Sequence, residues 1–266
     1  MGRPAAFFDL DKTIIAKSST LAFSKPFQAG GLISRRAVLR SAYAQFVYLV
    51  GGADHDQMEK MRQFLSDLCA GWDVQTVRDI VADTLHNVVD PLVYDEAVSL
   101  IEEHHLAGRD VIIVSASGTE VVEPIGALLG ADGVVATRMR VVDGRYTGEI
   151  DYYAYGENKA AALRRLAEEN EYDLARSYAY SDSITDLQML EVVGHPHAVN
   201  PDRELRRQAQ ARGWPVLVFT RPVALRSRMR LTQAGPTLAA LALGTAAAVG
   251  GAVYVAARRK AGRGDG

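Results

Sequence analysis

From about residue 93 to residue 219, short unbroken apolar runs alternate with amphipathic stretches, and this alternation restricts the fold more than any other feature of the chain. VIIV at 111–114 and PVLVF at 215–219 are short and rich in β-branched side chains, as expected of strands buried on both faces. AAFF at 5–8 has the same character and reads as the first strand. Between such runs lie helical patterns. VYDEAVSLIEEHHLAGRD is amphipathic and closes at Gly108, and TEVVEPIGALLGA, ENKAAALRRLAEENE, ITDLQMLEVVG and PDRELRRQAQARG follow it. GVVATRMRVVDGRYTGEI is extended, with Asp143-Gly144 as a hairpin signal, while YAYSDS and HAVN read as further strands. The pattern predicts an α/β fold built on a doubly wound, mostly parallel sheet.

Residues 17–87 interrupt that rhythm. RRAVLRSAYAQFVYLVGG ends in a glycine pair, and DHDQMEKMRQFLSDLCAGW carries Met58, Met61, Leu65 and Leu68 at helical spacing, so the segment reads as an inserted helical cap whose Met and aromatic residues pack. At 266 residues and 48% apolar, the chain is long enough to bury one core and carry such an insert. A formal net charge of -2, with no basic face dominating the first 220 residues, argues against nucleic acid as a partner. Cys69 is the single cysteine, so no intrachain disulfide can form. The opening residues lack a charged-then-apolar leader, which predicts a cytoplasmic catalytic body.

The C-terminal part has a different character. Residues 221–236 form a basic linker with Arg221, Arg226, Arg228 and Arg230. Thr237 to Ala257 then runs without a charge and is closed by Arg258, Arg259 and Lys260. That length of uncharged chain predicts a transmembrane helix anchoring the protein to the cell membrane. Its richness in Ala and Gly makes insertion weak, although Gly244 and Ala248 would let a second helix approach closely. A surface-lying or disordered Ala-rich tail is the alternative.

The chemistry concentrates where strands end. Asp9 and Asp11 follow the first apolar run two residues apart, so both can face one ligand at the carboxyl edge of the sheet. Asp182 and Asp186 follow the YAYS run. Four carboxylates at one edge repel one another unless a cation intervenes, and ligation by oxygen alone suits Mg²⁺. Ser115 comes directly after VIIV, and Lys159 sits near the start of a helix led in by Gly156, Glu157 and Asn158. A hydroxyl and an ammonium beside a metal and an aspartate make a cradle for a phosphoryl group. His104 and His105 read as surface residues at a helix end, and His195 and His197 flank Pro196 in a turn; none has a partner at metal-ligand spacing, so no zinc is expected.

DLDKT, Ser115, Lys159 and SDSITD resemble, in that order, the four motifs of the haloacid-dehalogenase-like phosphohydrolases. The length and helical character of the insert resemble the cap of their phosphoserine-phosphatase-like branch, subfamily IB, and the likeness spans about residues 5 to 220. The apolar tail narrows the resemblance to an actinobacterial group, some of whose members carry the label "inhibition of morphological differentiation protein". The resemblance implies a catalytic core of residues 1–16 and 88–220 under a cap of residues 17–87. It makes Asp9 the nucleophile that becomes an aspartyl-phosphate and Asp11 the general acid, later base. Thr13 supports the loop. Mg²⁺ is held by Asp9, the Asp11 backbone carbonyl and Asp182, with Asp186 positioning a water or Lys159. Ser115 and the Ala116 amide bind the phosphate, and Lys159 neutralises its charge.

Two departures bear on substrate. Phosphoserine phosphatases carry a glutamate nine residues past the nucleophile that meets the substrate ammonium, and Ser18 stands there instead. Their fourth motif reads Gly-Asp-Gly-x-Asn-Asp, whereas Ser181, Ser183 and Thr185 replace Gly, Gly and Asn, which removes the side-chain amide on the substrate side. A dehalogenase is disfavoured because Asp11 is an acid well placed to protonate an alkoxide, and a P-type ATPase would need many more membrane spans. The expected activity is Mg²⁺-dependent hydrolysis of a small phosphorylated metabolite or a lipid-derived phosphate. The rival is a membrane-tethered regulatory or scaffold protein that retains the fold, separable by its failure to hydrolyse any phosphomonoester.

Overall fold

The computed structural model describes residues 2–33, 63 and 66–222. Met58, Met61 and Leu65 of the insert, the linker beyond Pro222 and the uncharged stretch 237–257 lie outside the described residues. Among the described residues, no helix is long and apolar enough to cross a membrane. The chain divides into units of residues 1–223 and 224–266, and the description that follows concerns the first.

Seven strands form one sheet: β1 (Ala5–Phe8), β2 (Asp110–Gly118), β3 (Gly133–Val142), β4 (Arg145–Tyr152), β5 (Tyr178–Ser181), β6 (His195–Val199) and β7 (Val216–Leu217), in the order β4-β3-β2-β1-β5-β6-β7. β1 lies at the centre, parallel to β2 on one side and to β5 on the other, with Phe8 level with both Ile113 and Tyr180. Among the described strands, only the β3–β4 pair is antiparallel. Its two-residue turn, Asp143-Gly144, takes positive φ at both positions (49° and 76°), the conformation that matches a hairpin's twist and that Asp-Gly adopts at low cost.

Helices cover both faces. Between β1 and β2 run α1 (Ser19–Ala22), α2 (Ser24–Ala29), α3 (Val74–Val89) and α4 (Asp95–Leu106); α3 starts on an Asp73 carboxylate cap and runs straight through residue 87, so the cap boundary drawn there falls inside a helix. α5 (Thr119–Leu129), α6 (Glu157–Asn170), α7 (Leu187–Glu191) and α8 (Arg203–Arg212) connect the later strands. Strand alternation divides the core. Phe7, Ile112 and Val114 pack with Leu163, Met189, Leu190 and Leu205 from α6, α7 and α8. Phe8 faces the other way, stacked on Tyr180 with ring centroids 4.4 Å apart and edge-on to His104 of α4. Each fully buried Phe of β1 contributes on the order of 2 kcal/mol from apolar area alone.

Three local expectations are corrected. His104 is buried, only 2% exposed, because Ala97, Ile101 and His104 share the inward face of α4. The Tyr180 hydroxyl, 2.9 Å from its Nε2, and the Arg109 Nε, which donates to its Nδ1 at 2.7 Å, satisfy both ring nitrogens. His195, Pro196 and His197 lie within β6 and not in a turn. Pro196 is tolerated because β7 pairs only with Ala198 and Val199, which leaves the Pro196 position at an open edge. Ser115 is interior to β2 and not at its end, since the strand continues through an irregularity to Gly118.

Burial, and after it the Arg109 guanidinium, push His104 down to about 4. The unfolded imidazole takes up its proton near pH 6.5, so the unfolded chain binds more protons than the folded one between those values. Stability should therefore fall as pH drops through that window, by up to about 1.4 kcal/mol per pH unit, and this contribution is constant above it. Chemical denaturation of the native chain and a His104→Gln variant across that range should give a flatter pH dependence for the variant; parallel curves would refute the assignment.

Candidate active site

β1 ends at Phe8, and the Asp9 amide donates to the Tyr180 carbonyl at 2.9 Å, which ties the first residue beyond the strand to β5. The chain then turns sharply. The amides of Ile14 and Ile15 both donate to the Leu10 carbonyl, and Lys12 takes a left-handed φ of 62°, a conformation that a non-glycine residue holds only when its surroundings impose it. This turn lies where the chain leaves β1 for β2 on one side before returning to β5 on the other, the place where open α/β sheets bind ligands.

Lys159, in the first turn of α6, is the centre of the cluster. It is 2% exposed, and its Nζ donates to Asp9 Oδ1 at 2.7 Å and to Asp186 Oδ2 at 2.8 Å. Ser181 Oγ donates to the same Asp186 oxygen at 2.7 Å, and Thr13 Oγ1 donates to Asp9 Oδ2 at 3.2 Å. Burial disfavours the ammonium, yet Asp186 and then Asp9 outweigh it and hold Lys159 charged, above its usual range. Burial raises Asp9 despite the pull of Lys159. Asp182, directly after β5, is raised by burial and next by the charge of Asp9, with Lys12 acting the other way.

Asp11 points into a separate network. The Ser19 amide donates to its Oδ1 at 2.8 Å and Ser117 Oγ to its Oδ2 at 3.2 Å, while the two serine hydroxyls lie 2.8 Å apart. Burial pushes the Asp11 carboxyl up even against these bonds, the Ser19 amide foremost among them. Ser115 is buried beside this network; its Oγ accepts from the Ser117 amide at 3.2 Å, and no hydrogen bond joins it to the carboxylates among the described residues. The Ala116 carbonyl accepts from Thr137 Oγ1 at 2.7 Å.

The sequence-derived residues thus fall at one sheet edge, but the four carboxylates do not share one point. Asp186 is occupied by Lys159 and Ser181, and Asp11 by Ser19 and Ser117, so no group of three acid, His or Cys side chains fit to hold a metal forms among the described residues. The carboxylates that could still turn to a cation are Asp9, whose Oδ2 is engaged among the described residues only by the 3.2 Å bond from Thr13, and Asp182, both desolvated and near enough for the charge of Asp9 to raise Asp182. Such a donor set fits Mg²⁺, which binds through one or two carboxylates and retains several waters. Ser19 and Ser117 were not foreseen. They lie 98 positions apart in sequence and meet only in the fold.

A family model described as haloacid dehalogenase-like hydrolase matches residues 6–191. The chain belongs to this family. The hydrolase is 67% identical over 263 residues to the "Inhibition of morphological differentiation protein" of Streptomyces azureus, an alignment covering 97% of this chain and 95% of that one. It is 60% identical over 258 residues to a probable phosphatase of Mycobacterium tuberculosis, covering 97% and 90%. In three dimensions it is similar to a phosphoserine phosphatase solved as a phospho-aspartyl intermediate analogue, with a TM-score of 0.60 at 19% identity over 87% of this chain and 99% of that one. That likeness establishes the α/β fold of the family.

Replacing Lys159 by Met should strand Asp9 and Asp186 in a dry pocket without their shared cation. Breaking a buried pair in this way costs about 3–5 kcal/mol. Urea denaturation at neutral pH with a chelator present should show a loss of that size, partly restored by adding Asp186→Asn. A loss below about 1 kcal/mol would mean that the cluster is not the mutual constraint described.

Proposed function

We propose that the chain is a Mg²⁺-dependent phosphomonoester hydrolase of subfamily IB that acts through an aspartyl-phosphate on Asp9, with the described helices between β1 and β2 forming part of a cap over the core. The observation that carries this reading is the division of labour between buried Asp9 and half-buried Asp11, two residues apart. Asp9 is held by a cationic and a hydroxyl donor, whereas Asp11 has no cation hydrogen-bonded to it among the described residues and its desolvation, acting against the bonds from Ser19 and Ser117, favours its protonated form.

An Asp9 carboxylate oxygen attacks phosphorus as the bond to the ester oxygen breaks, and the departing alkoxide takes the proton of Asp11. Water then attacks phosphorus, giving its proton to Asp11, and the bond to Asp9 breaks to release inorganic phosphate and restore both side chains. Lys159 stands beside Asp9 throughout and offsets the negative charge gathered on the phosphoryl oxygens. Asp186 and Ser181 hold the ammonium in place. Asp9, Asp182 and the Asp11 carbonyl would hold Mg²⁺, which when bound supplies further positive charge to the phosphoryl group. Ser115 and the Ala116 amide, on the neighbouring strand, are the proposed phosphate donors.

The test is hydrolysis of simple phosphomonoesters with and without Mg²⁺. The native chain should release phosphate only with the metal, and Asp9→Asn should abolish turnover; retained activity in that variant would sink the mechanism. Asp11→Asn should slow the first, alcohol-releasing step by about 10²–10⁴-fold for an alkyl ester and much less for p-nitrophenyl phosphate, whose leaving group needs no proton, while hydrolysis of the shared aspartyl-phosphate slows for both. Equal losses in that first step would remove Asp11 as the acid. The uncharged stretch 237–257 supports anchorage to a membrane, and a chain truncated after residue 222 should leave the membrane fraction that the full chain enters.

A further inference from the structure

Beside the serine network opens a cavity of about 140 Å³ between α2, α3 and the strand ends. Ala116 and Ser117 form one end of it, and Ser117 is the residue whose Oγ donates to Asp11. Resting on the phosphatase reading above, we infer that the cavity receives the alcohol portion of the substrate and selects phosphomonoesters of apolar, ring-sized alcohols over those of amino acids. The position follows from the chemistry. If Asp11 protonates the departing oxygen, the carbon bearing that oxygen must lie next to Asp11, and the adjoining space is this cavity.

The walls define the class. Phe27, Trp72, Val77, Val121, Met139 and Tyr153 supply a nearly continuous apolar surface. Among the described residues no Lys, Arg or His lines the cavity. Its one carboxylate, Glu120, already accepts from the Tyr146 hydroxyl and lies 4.0 Å from Arg78, so its charge is spoken for. Burial, and then Glu120, push the Cys69 thiol up to about 12, leaving a neutral wall there too. A substrate carboxylate placed here would lose its water, meet Glu120 and find no cation among the described lining residues. The volume is close to the roughly 150 Å³ of dry protein cavities that take up benzene.

The experiment uses the full chain with Mg²⁺ and three alkyl esters of similar leaving-group basicity: benzyl phosphate, ethyl phosphate and phosphoserine. Benzyl phosphate should exceed both others in kcat/KM by about 10-fold or more, the scale of discrimination that one well-filled apolar pocket provides. Trp72→Ala should erase most of the benzyl-over-ethyl advantage. Met139→Lys, which puts a cation in the wall, should raise phosphoserine relative to benzyl phosphate. Hydrolysis with phosphoserine equal or preferred in the native chain overturns the substrate class and leaves the phosphatase reading intact. Silence on all three esters overturns the phosphatase reading, and the inference with it.

Discussion

A single buried ammonium holds the site together. Lys159 reaches from the first turn of α6 to Asp9 at the end of β1 and to Asp186 beyond β5, so three separate elements share one charge. Each partner would be costly to bury alone, and together they are tolerable only in this geometry. The same contact that stabilises the sheet edge therefore fixes the orientation of the carboxylate proposed to attack phosphorus.

Topology brings these groups together. Because β1 is central and its neighbours β2 and β5 are reached by crossovers in opposite directions, the residues just past β1 and β5 converge with those in the last part of β2. Asp9 and Asp11 come from the first, Ser115 to Ser117 from the second, and Asp182 and Asp186 from the third. The irregularity between Ser115 and Gly118 bends β2 as it passes Asp11 and gives Ser117 access to that carboxylate. One edge thus carries two environments: a charged one around Asp9 and a hydroxyl-lined one around Asp11 that opens into an apolar cavity.

Much of this was legible in the order of residues. The continuous apolar runs located the strands, Asp143-Gly144 located the hairpin, and DLDKT together with Lys159 and SDSITD placed the acid cluster, because buried strands and acidic turns carry local patterns. What stayed hidden depends on distant partners. Ser19 and Ser117 have no local signal, since their role comes from meeting at Asp11. His104 sat on the right helical period for burial with Ala97 and Ile101, but its polarity suggested the surface; distant Tyr180, together with Arg109 just past the same helix, makes the interior acceptable for it. Acidic residues at one edge carry no local sign of which donors will engage them. Asp186 serves Lys159, and Asp11 serves two serines.

The central claim is that the phosphoryl group passes through Asp9. Its most direct test is to mix the Mg²⁺-loaded chain with a phosphomonoester, quench in acid during turnover, and map the peptides by mass spectrometry. The account predicts one added phosphoryl group, on the peptide containing Asp9 and on that residue, lost on treatment with hydroxylamine and absent from the Asp9→Asn chain. Phosphoryl transfer to another side chain, or steady turnover with water oxygen entering phosphate in one step and no labelled Asp9, would contradict it.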